Sequence, residues 1–127
     1  LGLFILDTYG SHWILLKMIT IIETQQFISE ADKIISAVEK DALFDLIARN
    51  PKKGDVISGT GGVRKLRFAI KRKGKRGGGR VVYYYYNDRN PVLLFTLFGK
   101  NEKSNLTKKE KDILYGIIQE IKKEMKP

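Results

Sequence analysis

Residues 63–86 read VRKLRFAIKRKGKRGGGRVVYYYY. From Val63 to Arg80 there are nine Lys or Arg and no Asp or Glu, and four consecutive tyrosines, Tyr83–Tyr86, follow two valines. Strand-forming residues flank a basic, glycine-rich middle, a pattern that predicts a β-hairpin with a cationic tip. Its strands are expected at Val63–Ile70 and Arg80–Asn87, joined by Lys71–Gly79. Alternation along the first sends Leu66, Phe68 and Ile70 to one face and Lys65, Arg67 and Lys71 to the other. On the second, Arg80, Val82, Tyr84 and Tyr86 share a face, with Val81, Tyr83 and Tyr85 opposite. With Arg80 on an exposed side, Lys65, Arg67 and Arg80 form a cationic patch with Tyr84 or Tyr86 beside it. Cations position phosphates and aromatic faces stack unpaired bases, so RNA or DNA is the ligand this pattern suits. The plainer reading is a solvated basic loop, with tyrosines that pack the sheet and keep their hydroxyls at its rim.

Working outward, Asp88–Pro91 reads as a turn, and VLLFTLF (92–98) as an almost wholly apolar strand, central and covered on both faces. Short connections make these three strands an antiparallel meander. Upstream, KKGDVISGTGG (52–62) is a loop by its glycines, and it lacks the Gly-Lys-Ser/Thr that a phosphate-cradling loop needs. The β-branched cluster at Ile19–Ile22 predicts a first strand over 19–27. Ser29 is placed to cap a short helix running to about Ser36. Ser36-Ala-Val-Glu39 is a capping-box pattern that opens a second helix, which Asn50-Pro51 ends. Thr107-Lys-Lys-Glu110 is another such box, opening a last helix with Leu114, Ile117, Ile118, Ile121 and Met125 at helical spacing. The order is β-α-α-β-β-β-α, an α+β domain with helices packed on a small, mainly antiparallel sheet.

The chain has 127 residues, enough for one core, with 43% hydrophobic and 30% charged residues. Lys and Arg number 24 against 14 Asp and Glu, a net charge of +10 that speaks of anionic partners. Zero cysteines exclude disulfides, zinc ribbons and thiol nucleophiles, and the composition suits a reducing cytoplasm. No unbroken apolar stretch is long enough for a membrane helix. Residues 1–17 are expected to be a leader or accessory extension, with Met18 the natural start and 18–127 the functional domain.

Conventional catalytic sets are absent. His12 is the only histidine, and Asp and Glu are scattered, with no pair at metal-ligand spacing. Asp55, Asp88 and Glu102 read as isolated turn or cap formers. Neither a metal nor another cofactor is called for. What remains is lysine, arginine and tyrosine chemistry on a phosphodiester, where arginine neutralises developing charge and a lysine crowded by like charges loses its proton more readily. An RNA 2′-hydroxyl brings its own nucleophile.

Three stretches together carry a family resemblance: GDVISGTGGVRKLRFA (54–69), GGGRVVYYY (77–85) and LFTLFGKNEKSNLTKKE (94–110). From about Met18 to Lys126 the chain resembles the RelE/ParE superfamily of type II toxin–antitoxin toxins, with the HigB-like branch the nearest match. The resemblance implies a RelE-like β-α-α-β-β-β-α domain, mRNA cleavage on the ribosome, and neutralisation by a cognate antitoxin of helix-turn-helix type. Lys65 and Arg67 match basic strand positions that hold mRNA and its scissile phosphate. Arg80 matches the arginine after the glycine turn, and Lys100 a basic position at the end of the last strand. These four are the expected catalytic residues. Arg64, Lys71, Arg72, Lys73, Lys75, Arg76, Lys103, Tyr84 and Tyr86 are expected to hold RNA or the ribosome. Two positions depart from the pattern: Asn101 stands where the RelE type often has a catalytic arginine, and Thr107 where it often has a tyrosine. Lys103 is placed to reach in for the first, whereas only Tyr84 or Tyr86 is available for the second. The alternatives are a ParE-like gyrase poison, or a nucleic-acid-binding module without catalysis.

Overall fold

The computed structural model describes residues 2–6, 13–17, 19–70, 78–100 and 105–127, the first two segments by backbone alone. Strands β1 (Gly2–Leu6) and β2 (Trp13–Lys17) pair antiparallel as a separate two-stranded sheet. The body of the molecule is a five-stranded sheet made of β3 (Ile21–Glu23), β4 (Asp55–Val56), β5 (Arg64–Phe68), β6 (Gly79–Tyr84) and β7 (Val92–Gly99). Their order is β3-β7-β6-β5-β4, with β3 parallel to β7 and every other pair antiparallel. Helices α1 (Gln25–Ile34), α2 (Ala37–Arg49) and α3 (Lys108–Lys122) complete the α+β fold. No helix among the described residues is long and apolar enough to cross a membrane.

The expected meander of β5, β6 and β7 is present; β7 is an interior strand between β3 and β6, but the central place expected for it belongs to β6, which is buried along its whole length. The first strand is shorter than expected, and the first helix starts earlier. Its cap is Thr24 rather than Ser29: the Thr24 hydroxyl accepts from the Phe27 N–H at 3.2 Å and donates to the Phe95 carbonyl at 2.8 Å. That second bond ties the helix start to β7, a tertiary contact that ends the strand at Glu23, after the β-branched cluster. The capping boxes at Ser36–Glu39 and Thr107–Glu110 both form as the sequence predicts.

Alternation along the strands feeds two cores. On one face Leu66, Phe68, Ile70, Val81, Tyr83, Leu94 and Leu97 pack under α1 and α2, which contribute Phe27, Ala31, Leu43 and Ile47. On the other face Val63, Val82, Tyr84 and Phe98 pack under Leu114 and Ile118 of α3 and the preceding Leu106. A bulge at Val82/Tyr83 shifts the β6–β7 register by one residue, so Leu94 and Leu97 of β7 both face the first core. Helix α3 is held at its far end by Asn90 in the β6–β7 turn. The Asn90 amide accepts from the Lys126 N–H at 2.9 Å and donates to the Lys126 carbonyl at 2.7 Å.

The loop between α2 and β5 is organised by Tyr83, which is fully buried. Its hydroxyl donates to the Pro51 carbonyl at 2.7 Å and accepts from the Gly54 N–H at 2.9 Å. Arg64 joins it, donating to the carbonyls of Lys52 at 3.0 Å and Gly54 at 2.7 Å. Farther along, the chain turns through Gly59, Gly61 and Gly62, all at positive φ, where side chains are strained. Tyr83→Phe leaves a buried N–H without its partner and is expected to cost about 1–3 kcal/mol in chemical denaturation. A loss below about 0.5 kcal/mol would mean that Arg64 holds the loop alone.

Candidate functional site

The cationic residues of β5 and β6 meet because of register. Arg67 lies directly opposite Arg80, and Lys65 opposite Val82, so Lys65, Arg67 and Arg80 share the face that carries α3. Lys100 follows the end of β7 beside them, its N–H donating to the Gly78 carbonyl at 3.1 Å. The structure thus brings Lys65, Arg67 and Arg80 onto one face, with Lys100 just past the end of β7.

Their exposure differs from expectation. Arg67 and Lys100 are exposed and Lys65 is half-buried, but Arg80 is only 9% exposed. The sequence reading left this face open, whereas α3 and the segment before it cover most of it. Arg80 donates one hydrogen bond, at 3.0 Å, to the carbonyl of its neighbour Gly79. Its remaining N–H groups have no partner among the described residues, and none of its nitrogens is both sealed from solvent and unpaired. Burial and then the charge of Arg67 push the Arg80 pKa below the usual guanidinium value, although it stays cationic at neutral pH. Ion pairs among the described residues join Lys33–Glu30, Lys40–Glu23, Arg49–Asp45, Lys108–Asp112 and Lys123–Glu120, and none reaches this cluster. Two arginines face each other with a lysine alongside; Asp55 on β4 stands opposite that lysine, but among the described residues no ion pair joins a carboxylate to the cluster. The cluster has the charge that suits an anion.

Three expected binding residues are placed elsewhere. Arg64 alternates with Leu66 onto the opposite face, where its bonds to backbone carbonyls make it a loop anchor. Tyr84 is 2% exposed beneath α3, so its ring is core. Tyr86 is 43% exposed and stacks on Tyr84, with ring centroids 6.5 Å apart. Six residues of extended strand, about 20 Å, separate it from Arg80. Neither tyrosine flanks the cationic cluster. Lys71, Arg72, Lys73, Lys75, Arg76, Asn101 and Lys103 lie outside the described residues.

The sequence reading missed Asn105, whose side-chain oxygen accepts from the Lys65 ammonium at 2.7 Å. No local pattern signals a contact between residues so far apart in the chain. Among the described residues no cluster of His, Cys, Asp and Glu could hold a metal ion.

Fold and site together define a small α+β domain with a cationic cluster at one end of its sheet that no ion pair among the described residues neutralises. A family model described as the RelE toxin of the RelE/RelB toxin–antitoxin system matches residues 20–126. The chain belongs to the RelE toxin family, and a cognate antitoxin is its partner in the module.

Replacing Arg80 by Met removes a buried cation set against a like charge. Its unfolding free energy is expected to stay within about 1 kcal/mol of wild type or to rise. Inorganic phosphate should raise the thermal midpoint of the wild type and have little effect on Arg80→Met. Equal stabilisation of both proteins would place the anion away from Arg80.

Proposed function

We propose that this toxin is a ribosome-dependent mRNA endoribonuclease of the HigB-like branch, acting in the cytoplasm to stop translation. The observation that carries the reading is the facing pair Arg67 and Arg80, cationic, without an ion pair among the described residues, and joined by Lys65 and Lys100. In the reaction, the RNA 2′-oxygen attacks the adjacent phosphorus while the bond to the 5′-oxygen of the next nucleotide breaks. The products are a 2′,3′-cyclic phosphate and a 5′-hydroxyl end. Arg67 and Arg80 neutralise charge on the phosphorane, where preorganised donors act most strongly. Lys65, with Lys71 beyond it in sequence, handles the proton leaving the 2′-hydroxyl or orients the strand. Lys100 holds a flanking phosphate. Arg72, Lys73, Lys75, Arg76 and Lys103 supply positive charge for ribosomal RNA. No cofactor enters this scheme.

An acidic segment of the antitoxin would silence the site by electrostatic complementarity, covering the cluster or displacing α3. In the toxin–antitoxin complex, Lys65, Arg67 and Lys100 should therefore be shielded from side-chain modification. Full reactivity of all three in a silenced complex would put inhibition elsewhere.

The decisive test adds purified toxin to programmed ribosomes and maps mRNA ends by primer extension. Cleavage within the translated message is expected, and Arg67→Ala should abolish it with stability changed by less than about 0.5 kcal/mol. Roughly six phosphate contacts would give a log–log salt slope for RNA binding on the order of −4. Gyrase-dependent DNA breaks without RNA cleavage would overturn the reading in favour of a gyrase poison.

A further inference from the structure

We infer that Asn105 is a positioning residue that holds the Lys65 amine in place through a neutral acceptor. The inference rests on the reading of Lys65 as a group that handles protons in RNA cleavage. A lysine stem is long and flexible, and by itself it places its nitrogen poorly. Here the Nζ donates to Asn105 Oδ1 at 2.7 Å across 40 residues of sequence. A lysine offers only donors, so the amide must present its oxygen and its orientation is unambiguous. Asn105 is exposed, but the chain that follows it is anchored. The next residue, Leu106, is buried in the second core, and Thr107 caps α3 through the Glu110 N–H at 3.1 Å.

The choice of a carboxamide has a chemical consequence. An aspartate at this distance would pair with the ammonium and favour its charged form. The amide offers the same hydrogen bond with no net charge, so the amine is oriented without an added ion pair. Charged groups of both signs lie nearby. Arg67 on β5 and Arg80 on β6 share the face with Lys65, and half-buried Lys111 lies on the stripe of α3 that buries Leu114 and Ile118. Asp55 is the cross-strand neighbour of Lys65 on β4, but no ion pair joins the two. The Lys65 amine keeps N–H donors for a phosphate oxygen while Asn105 holds one.

The test uses Asn105→Ala, Asn105→Asp and Asn105→Gln in the full chain, with two readouts. The first is titration of the Lys65 Nζ by NMR in the isolated protein, which requires no activity. In Asn105→Asp the midpoint should move to higher pH, and in Asn105→Ala it should not follow. The second is kcat and KM for mRNA cleavage on programmed ribosomes. Asn105→Ala should lower kcat about tenfold at nearly constant KM, as expected for lost orientation rather than lost binding. Asn105→Gln should recover part of the loss, and Asn105→Asp should shift the pH–rate profile along with the Lys65 midpoint. An unmoved Lys65 midpoint in Asn105→Asp overturns the coupling, and so does a wild-type kcat in Asn105→Ala. Absence of RNA cleavage by the wild type would instead overturn the functional reading, and the titration would still decide whether Asn105 holds Lys65.

Discussion

Strand β6 is buried from Gly79 to Tyr84, and the site depends on that constraint. Helices α1 and α2 cover one face of this strand and α3 the other, so alternation commits each side chain to one of two cores. Arg80 is the single charged residue in the strand. It lies one residue from the strand's start, at the sheet end where both the basic loop and the segment after Lys100 depart. Burial strips water from its guanidinium, and register sets Arg67 opposite. The fold therefore carries an electrostatic cost at this point that an anion, in the proposed function the scissile phosphate, would relieve.

Close packing keeps the arrangement narrow. At Gly79 an added Cβ would lie 2.5 Å from the Phe68 ring, so the last glycine before Arg80 lets β5 and β6 approach where the two arginines face each other. On the far side, α3 is tied down at both ends, by Leu106 and the Thr107 cap at its start and by the Asn90–Lys126 clasp at its end. Because Asn105 lies two residues before that cap, next to buried Leu106, the start of α3 bears on the position of the Lys65 amine. A partner that displaced the helix would release the lysine without touching it.

Much of this was legible in the chain. The period-two pattern of VRKLRF and RVVYYYY put Lys65, Arg67 and Arg80 on one face, and both capping boxes marked true helix starts. The same pattern also placed Arg64 with Leu66 on the core face, and its abundance of charge hid that. What alternation could not supply was the cover over each face. The apolar residues of α3 were evident in sequence, but which side of the sheet they would bury is decided by tertiary packing. Arg80 and Tyr84 were consequently read as open when they are enclosed. Thr24 and Asn105 escaped for the same reason: each acts through a bond to a residue 71 or 40 positions away.

The two departures from the family pattern bear on the proposed chemistry. Thr107 has a structural task, since its hydroxyl oxygen accepts from the Glu110 N–H and its own N–H donates to the Glu110 carboxylate. A short side chain so engaged is a poor replacement for a tyrosine that would reach the RNA. Tyr84 is enclosed beneath α3, and Tyr86 lies at the other end of β6 from Arg80, so neither can stand in. Among the described residues of the cluster, arginines hold their protons too tightly to exchange them at neutral pH. In the proposed reaction proton transfer then falls to lysine. Lys65 is the one lysine there whose nitrogen is held by a neutral acceptor, which gives Asn105 its significance.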